Sequence, residues 1–262
     1  MIRRASVLAA LLAVSLTACL DANKQSTSPV GIITMNARVK GAGFTTSPVA
    51  NFFSASSITF ASAAGASDSC IVAAYTAPGA QTADGIGAGS VLLYTVSGRT
   101  DTLRKATTSD LTYRSSLASG LAFTPGDSVV FTVPGDLTGF GAGSFRARTA
   151  EAFTASTIAI PPAGQALPVT WSPVGDAASA MIISLRYNEP TASGTGLNAQ
   201  IFCDFIDDGA ATIPAALAAK WAASTVRDTY MQRLRTLIWQ STSGSQYANV
   251  VSTFEMPTPV SP

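Results

Sequence analysis

Short runs of β-branched and aromatic residues, each closed by a glycine or proline turn, recur along this chain and direct it toward sheet. The sharpest instance begins with a turn, Phe123-Thr124-Pro125-Gly126-Asp127. A strand follows, Ser128-Val129-Val130-Phe131-Thr132-Val133, and Pro134-Gly135-Asp136 turns the chain again. Proline presets φ at one turn position, and glycine takes positive φ without steric cost. The residues between them suit a pleated, half-buried surface. The same punctuation closes Ser90-Val91-Leu92-Leu93-Tyr94-Thr95-Val96 with Ser97-Gly98, and Gly85 to Gly89 precedes that run as a glycine-rich turn region.

Other segments follow suit. Gly31 to Met35, Asn51 to Phe60 and Ser69 to Tyr75 read as strands. Ser144 to Phe153 alternates, with Arg146 and Arg148 toward solvent and Phe145, Ala147 and Thr149 on the other face. Pro161-Pro162-Ala163-Gly164-Gln165 marks a linker or domain-edge turn. Leu197 to Phe205 is a strand turned by Asp207-Asp208-Gly209. Ile213 to Trp221 is the one convincing helix, with Pro214 in its first turn and alanine after it. Val226 to Trp239 fits helix or strand. We expect strand, because the polar turn Ser241 to Ser245 and another strand, Asn249 to Phe254, follow at hairpin spacing. The proline-rich end, Pro257 to Pro262, is expected to fray.

Leu167-Pro168-Val169-Thr170-Trp171-Ser172-Pro173, followed by Ala180 to Tyr187, places a tryptophan-centred strand before a proline turn and a second apolar strand. This resembles the early strands of fibronectin type III-like sandwich domains. The resemblance implies that Trp171 is a core anchor between sheets. The expected fold is all-β: one or two β-sandwich (Ig-like or fibronectin-like) modules with one short helix near 214–222. The expected divisions are 30–153, a β-rich domain, and 154–257, a β-sandwich-like domain, with 258–262 as a tail.

The N-terminus has a different character. Arg3 and Arg4 precede an uncharged run from Ala5 to Leu16, and Leu16-Thr17-Ala18-Cys19 follows. A positive start, a short apolar run and small residues are the layout of a secretory signal peptide. A run of this length is too short to cross a bilayer core as a helix, which needs roughly 20 residues. Leu16-Thr17-Ala18-Cys19 resembles the lipobox of bacterial lipoproteins. That resemblance implies cleavage before Cys19, lipidation of its thiol and anchoring in a membrane. Leu20 rather than Asp follows the cysteine, which by the same resemblance favours the outer membrane. Residues 1–18 are then the signal peptide, and 19–29 a polar, flexible tether.

Removing Arg3 and Arg4 takes the formal charge from +1 to −1. The chain has no basic patch, so a nucleic-acid partner is not expected. Only 12% of residues are charged, against about 25% in typical soluble domains. The surface must therefore be built from Ser, Thr, Gly, Asn and Gln, which suits exported β-structure. With Cys19 lipidated, Cys70 and Cys203 remain as a pair. In an oxidising compartment we expect them to bond, with two separately buried thiols as the alternative. A bridge closing so long a loop would stabilise by about 4 to 5 kcal/mol in the chain-entropy model.

No histidine occurs in the chain. Ser-His-Asp and Cys-His catalysis and His-ligated zinc are thereby excluded. No phosphate-cradling loop ending in Gly-Lys-Ser or Gly-Lys-Thr is present. Asp204, Asp207 and Asp208 beside Gly209 are the one calcium candidate, since clustered carboxylates offer hard oxygen ligands. Their spacing is not that of an EF-hand, and turn formation is their ordinary role, so no metal or cofactor is expected. Glu151, Glu189 and Glu255 are the acids available to a glycoside hydrolase. Trp221, Trp239, Tyr230 and Tyr247 could line a carbohydrate face, or pack in the core. The expected function is that of a membrane-anchored surface or periplasmic lipoprotein with a non-catalytic binding or assembly role toward an envelope protein or glycan. An exported glycan-directed hydrolase is the alternative.

Overall fold

A computed structural model describes residues 28–40, 43–55, 67–75, 85–107, 110–118, 120–191, 195–257 and 260–261. Cys19, the expected signal peptide and residues 56–60 of the expected second strand lie outside them. The first strands are Ser28–Lys40 (β1), Gly43–Thr46 (β2), Val49–Ala55 (β3), Ser69–Ala74 (β4), Val91–Val96 (β5) and Arg99–Lys105 (β6). Next come Thr112–Ser115 (β7), Leu121–Phe123 (β8), Ser128–Val133 (β9), Gly143–Arg148 (β10), Ile158–Ala159 (β11) and Leu167–Thr170 (β12). The last are Ser179–Tyr187 (β13), Ala199–Ile206 (β14), Ala210–Ile213 (β15), Arg227–Gln240 (β16), Tyr247–Pro257 (β17) and Val260–Ser261 (β18). One helix, Ala215–Ala223 (α1), joins β15 to β16. The fold is all-β with a short helix, as expected.

Fourteen strands share one sheet, in the order β10-β9-β5-β6-β7-β3-β1-β17-β16-β13-β14-β4, with β2 and β8 attached beside β1. Neighbours are antiparallel except β1 and β17, which run parallel from Val30 opposite Tyr247 to Ala37 opposite Phe254. The first and last long strands of the chain are therefore neighbours at the middle of the sheet. Two small sheets, β12 with β15 and β11 with β18, complete the strands.

The apolar side chains form two clusters. One gathers Leu92, Tyr94, Phe131, Phe140 and Phe145 with Val250. The other gathers Trp171, Ile183, Ile201, Phe205 and Trp221 with Phe254. The long strand β17 contributes to both, and the small β12–β15 sheet lies against the large one through Val169, Ile213 and Trp171. Toward the other end, β10 comes back within reach of β16, and the Phe145 and Trp239 rings stand 5.3 Å apart.

Local chemistry explains the turns. Ser97 (φ 50°) and Gly98 (φ 71°) form the two-residue connection between β5 and β6. Positive φ at both positions matches the twist of a hairpin, and the Ser97 hydroxyl donates to Asp127. Around α1, the Pro214 carbonyl accepts from the Leu217 and Ala218 amides, and Trp221 and Ala218 face the core.

Several boundaries differ from the sequence reading. Ile213, assigned to the helix, ends β15, and the helix runs from Ala215 to Ala223. Ser28 and Pro29, assigned to the tether, are the first residues of β1. The strand expected to run to Phe153 ends at Arg148, because the Glu151 and Ala152 carbonyls turn to the Arg233 guanidinium. Val260 and Ser261, expected to fray, pair with Ile158 and Ala159.

Candidate functional site

Alternation along β14 sends Ile201, Cys203 and Phe205 into the core and Phe202, Asp204 and Ile206 to the opposite face. Beside it runs β4, the last strand of the sheet, with Ile71 directly opposite Phe202. Ile71 is 60% exposed, Ile206 50% and Phe202 36%. Large apolar side chains exposed together on one strand pair are a candidate interaction surface. Cys70 and Cys203 oppose each other in the same pair. Their sulfurs are at bonding distance, 2.09 Å, and the link spans 133 residues. The disulfide ties the edge strand, and with it Ile71, to its neighbour.

Along the same face, the Arg186 guanidinium lies between two tyrosine rings, 4.8 Å from Tyr75 and 4.7 Å from Tyr230. Such stacking is worth about 0.5–2 kcal/mol per ring, depending on desolvation. Asp228 Oδ2 stands 3.8 Å from Arg186. Burial, a hydrogen bond to Glu255 and that residue's charge push the Tyr230 phenol well above its usual range. The Ser184 hydroxyl donates to Gln200 Oε1 at 3.0 Å. The face thus joins an apolar strip to a polar neighbourhood in which Arg186 is stacked between two tyrosines and faces Asp228.

Asp204 sits inside the strip. Burial, and after it the nearby Asp68 charge, raise its carboxyl above the ordinary Asp value. A carboxyl raised in the folded state penalises the fold when ionised. That cost is full well above the folded pKa and is relieved as pH falls through it. Asp204→Asn should therefore melt higher than the wild type at pH 7, by roughly 2–4 °C per kcal/mol recovered. The gap should close on acidification toward the normal carboxylate range. Melting curves across pH check this; a gap that widens on acidification contradicts it.

The calcium candidates do not converge. Asp204 belongs to the outer face, while Asp207 is buried and committed elsewhere. Its Oδ2 lies 2.7 Å from Arg233 Nε and accepts from the Ser179 hydroxyl, also at 2.7 Å. Its Oδ1 accepts from Trp171 Nε1 at 2.8 Å. Asp208 Oδ1 accepts from the Ala210 amide within the turn. Among the described residues no three acidic or cysteine side chains group to hold a metal.

The carboxylates considered for hydrolysis have separate surroundings. Glu151 bridges Arg148 and Arg235, Glu189 lies beside Asn198 and Thr191, and Glu255 faces Tyr230. The aromatic candidates divide as well. Trp221 is fully buried and Trp239 packs against Phe140 and Phe145. Tyr247 accepts from Gln240 near the hairpin end. Of the four, Tyr230 belongs to the outer face. Trp171 is a core residue, 5% exposed. The exposed strip was visible in the sequence only as alternation in Ile201 to Ile206; nothing local marks which strand ends at the sheet edge.

No protein-family model matches the chain, and no curated protein matches it. The functional reading therefore rests on its own residues.

Proposed function

We propose that this chain is an exported lipoprotein, held at a membrane through Cys19, whose role is non-catalytic binding or assembly. The outer membrane is the site that Leu20 favours. The observation supporting a binding role is the exposed strip of Ile71, Phe202 and Ile206 on a strand pair tied by the Cys70–Cys203 link. A disulfide-held edge presents its side chains already ordered, which lowers the entropy lost on association. A protein partner fits this face better than a glycan. The three tryptophans are turned inward or packed, so no flat indole platform lies beside the strip. The Trp171 segment, similar to fibronectin type III-like strands, belongs to the same reading, since its tryptophan occupies a core position.

Glutamates engaged by different neighbours, rather than paired across a cleft, weigh against the glycan-directed hydrolase. Fractionation tests the anchor. Cys19→Ser should move the protein from the membrane fraction to the soluble exported fraction; full retention in membranes would sink the lipoprotein reading. Residue-resolved crosslinking from position 202 in the anchored protein tests the face.

A further inference from the structure

We propose that the end of the large sheet where β1 begins lies against the membrane, with Leu137 entering the lipid interface and the cavity beside it taking a lipid phosphate. This rests on the reading that Cys19 carries the anchor. Nine Cα-to-Cα steps separate Cys19 from Ser28, and at about 3.3–3.6 Å each they reach at most about 32 Å. β1 has 13 residues, so at about 3.3 Å per residue it runs about 40 Å from Ser28 to Lys40. A molecule standing on its Lys40 end would hold Ser28 farther from the lipid than the anchor reaches. The Ser28 end is the one brought to the membrane.

Two routes of contact place Leu137 at that same end. Val30 pairs with Tyr247, the first residue of β17, so the turn before β17 lies beside the start of β1. Gln246 of that turn accepts from the Gly141 amide at 2.7 Å. On the other side Val30 pairs with Phe53. The neighbouring Phe52 carbonyl accepts from the Ile86 amide, and the Gly87 carbonyl accepts from the Phe140 amide, both at 2.8 Å. Both routes lead to the turn from Asp136 to Gly139, where Leu137 is fully exposed.

The turn holds that side chain outward. Asp136 Oδ1 accepts from the Thr138 amide and hydroxyl, both at 2.9 Å. The Asp136 amide donates to the carbonyl of Phe140, whose ring is buried. Tight turns ordinarily carry Gly, Asn, Asp or Ser at such positions, and a leucine here leaves apolar surface in water. The boundary between lipid headgroups and acyl chains takes such a side chain. Beside it a cavity of about 580 Å³ is lined by Gly89, Ser90, Arg104, Lys105 and Asp136. Arg104 and Lys105 have no ion pair among the described residues. They outnumber Asp136, so the cavity is net positive and suits a phosphate. One leucine does not hold a protein at a membrane; the anchor supplies the local concentration that makes the contact effective. The Ile71–Phe202 strip, on β4 and β14, takes no part in it.

The test uses the full, lipidated chain reconstituted into vesicles of phosphatidylethanolamine and phosphatidylglycerol with dibrominated acyl chains. Trp171 and Trp221 are buried and Trp239 is packed against the core, so an added surface tryptophan reads above a low background. Leu137→Trp should lose about half or more of its added emission to the bromines. Leu117→Trp, past the far end of β7 where Leu117 is 43% exposed, should lose none. Arg104→Ser with Lys105→Ser should weaken the quenching at 137 by about twofold, through lost phosphate contacts. In a chain that floats with the vesicles, no quenching at 137, or equal quenching at 137 and 117, would overturn the proposal and leave the Cys19 reading standing. Quenching at 137 unchanged by the serine pair would overturn the phosphate site. A chain that does not float with the vesicles would overturn the Cys19 reading and the proposal with it.

Discussion

Asp207→Ala should lower the melting temperature by roughly 6–20 °C, the largest effect expected of any single substitution in this chain. Arg233 and Asp207 side chains are each only 1% exposed, and their nearest atoms are 2.7 Å apart. Taking two charges out of water is expensive, and only their mutual attraction with further hydrogen bonds offsets it. The partners are present. Arg233 donates to the Ser172 carbonyl at 2.5 Å and to the Ala152 carbonyl at 3.0 Å, and its guanidinium lies over the Phe153 ring at 5.3 Å. Asp207 also accepts from Trp171 and Ser179. Alanine at 207 strands a buried guanidinium and leaves an indole N–H without its acceptor. Breaking such a pair costs about 3–5 kcal/mol, and a chain of this size loses roughly 2–4 °C per kcal/mol. The double replacement Asp207→Leu with Arg233→Met should recover much of the loss, because removing both charges removes the desolvation cost. Calorimetry of both singles and the double checks the sign of the coupling. A loss below about 1 kcal/mol in Asp207→Ala would show that the pair is not buried as described.

Replacing both Cys70 and Cys203 with alanine should cost about 2–5 kcal/mol. The link closes 133 residues, so its removal frees a large part of the unfolded chain. In the folded chain the effect should be local. β4 pairs only with β14 among the described strands, and Ile71 and Val72 expose 60% and 44% of their surface. With little burial to hold it, the edge strand should loosen first. Denaturant unfolding with and without reductant should shift the wild-type midpoint downward and leave the double variant where it is. Hydrogen exchange should show lost protection concentrated in residues 69–74. An unchanged wild-type midpoint under full reduction would remove the stabilising role of the pair.

Much of the strand content was legible because turn chemistry is local. Gly126 (φ 95°) and Gly135 (φ 90°) flank β9 as Pro-Gly signals on both sides imply. The pair Cys70 and Cys203 followed from counting cysteines. The choice of strand over helix for 226–239 holds, since β16 alternates in burial along Arg227–Gln240. Its interior was not legible. Arg233 and Arg235 are buried, where a hydrophobic alternation would place apolar residues. Their carboxylate and carbonyl partners come from residues 151, 152, 172, 176 and 207, and no local pattern announces such distant company. The same limit hid the β1–β17 pairing. Strand pattern fixes which face a residue occupies, but not which distant strand lies alongside. It also hid that β4 would stand at the edge, which is why the Ile71–Phe202 strip emerged only with the fold.

The most direct measurement is photocrosslinking in cells. A photoreactive amino acid is placed at position 202 on the outer face, and at position 93 on β5, where Leu93 is 41% exposed outside the strip. A binding face predicts one dominant protein adduct from position 202, recovered from the membrane fraction and absent from position 93. No protein adduct from position 202, or the same adducts from both positions, would contradict the proposed role.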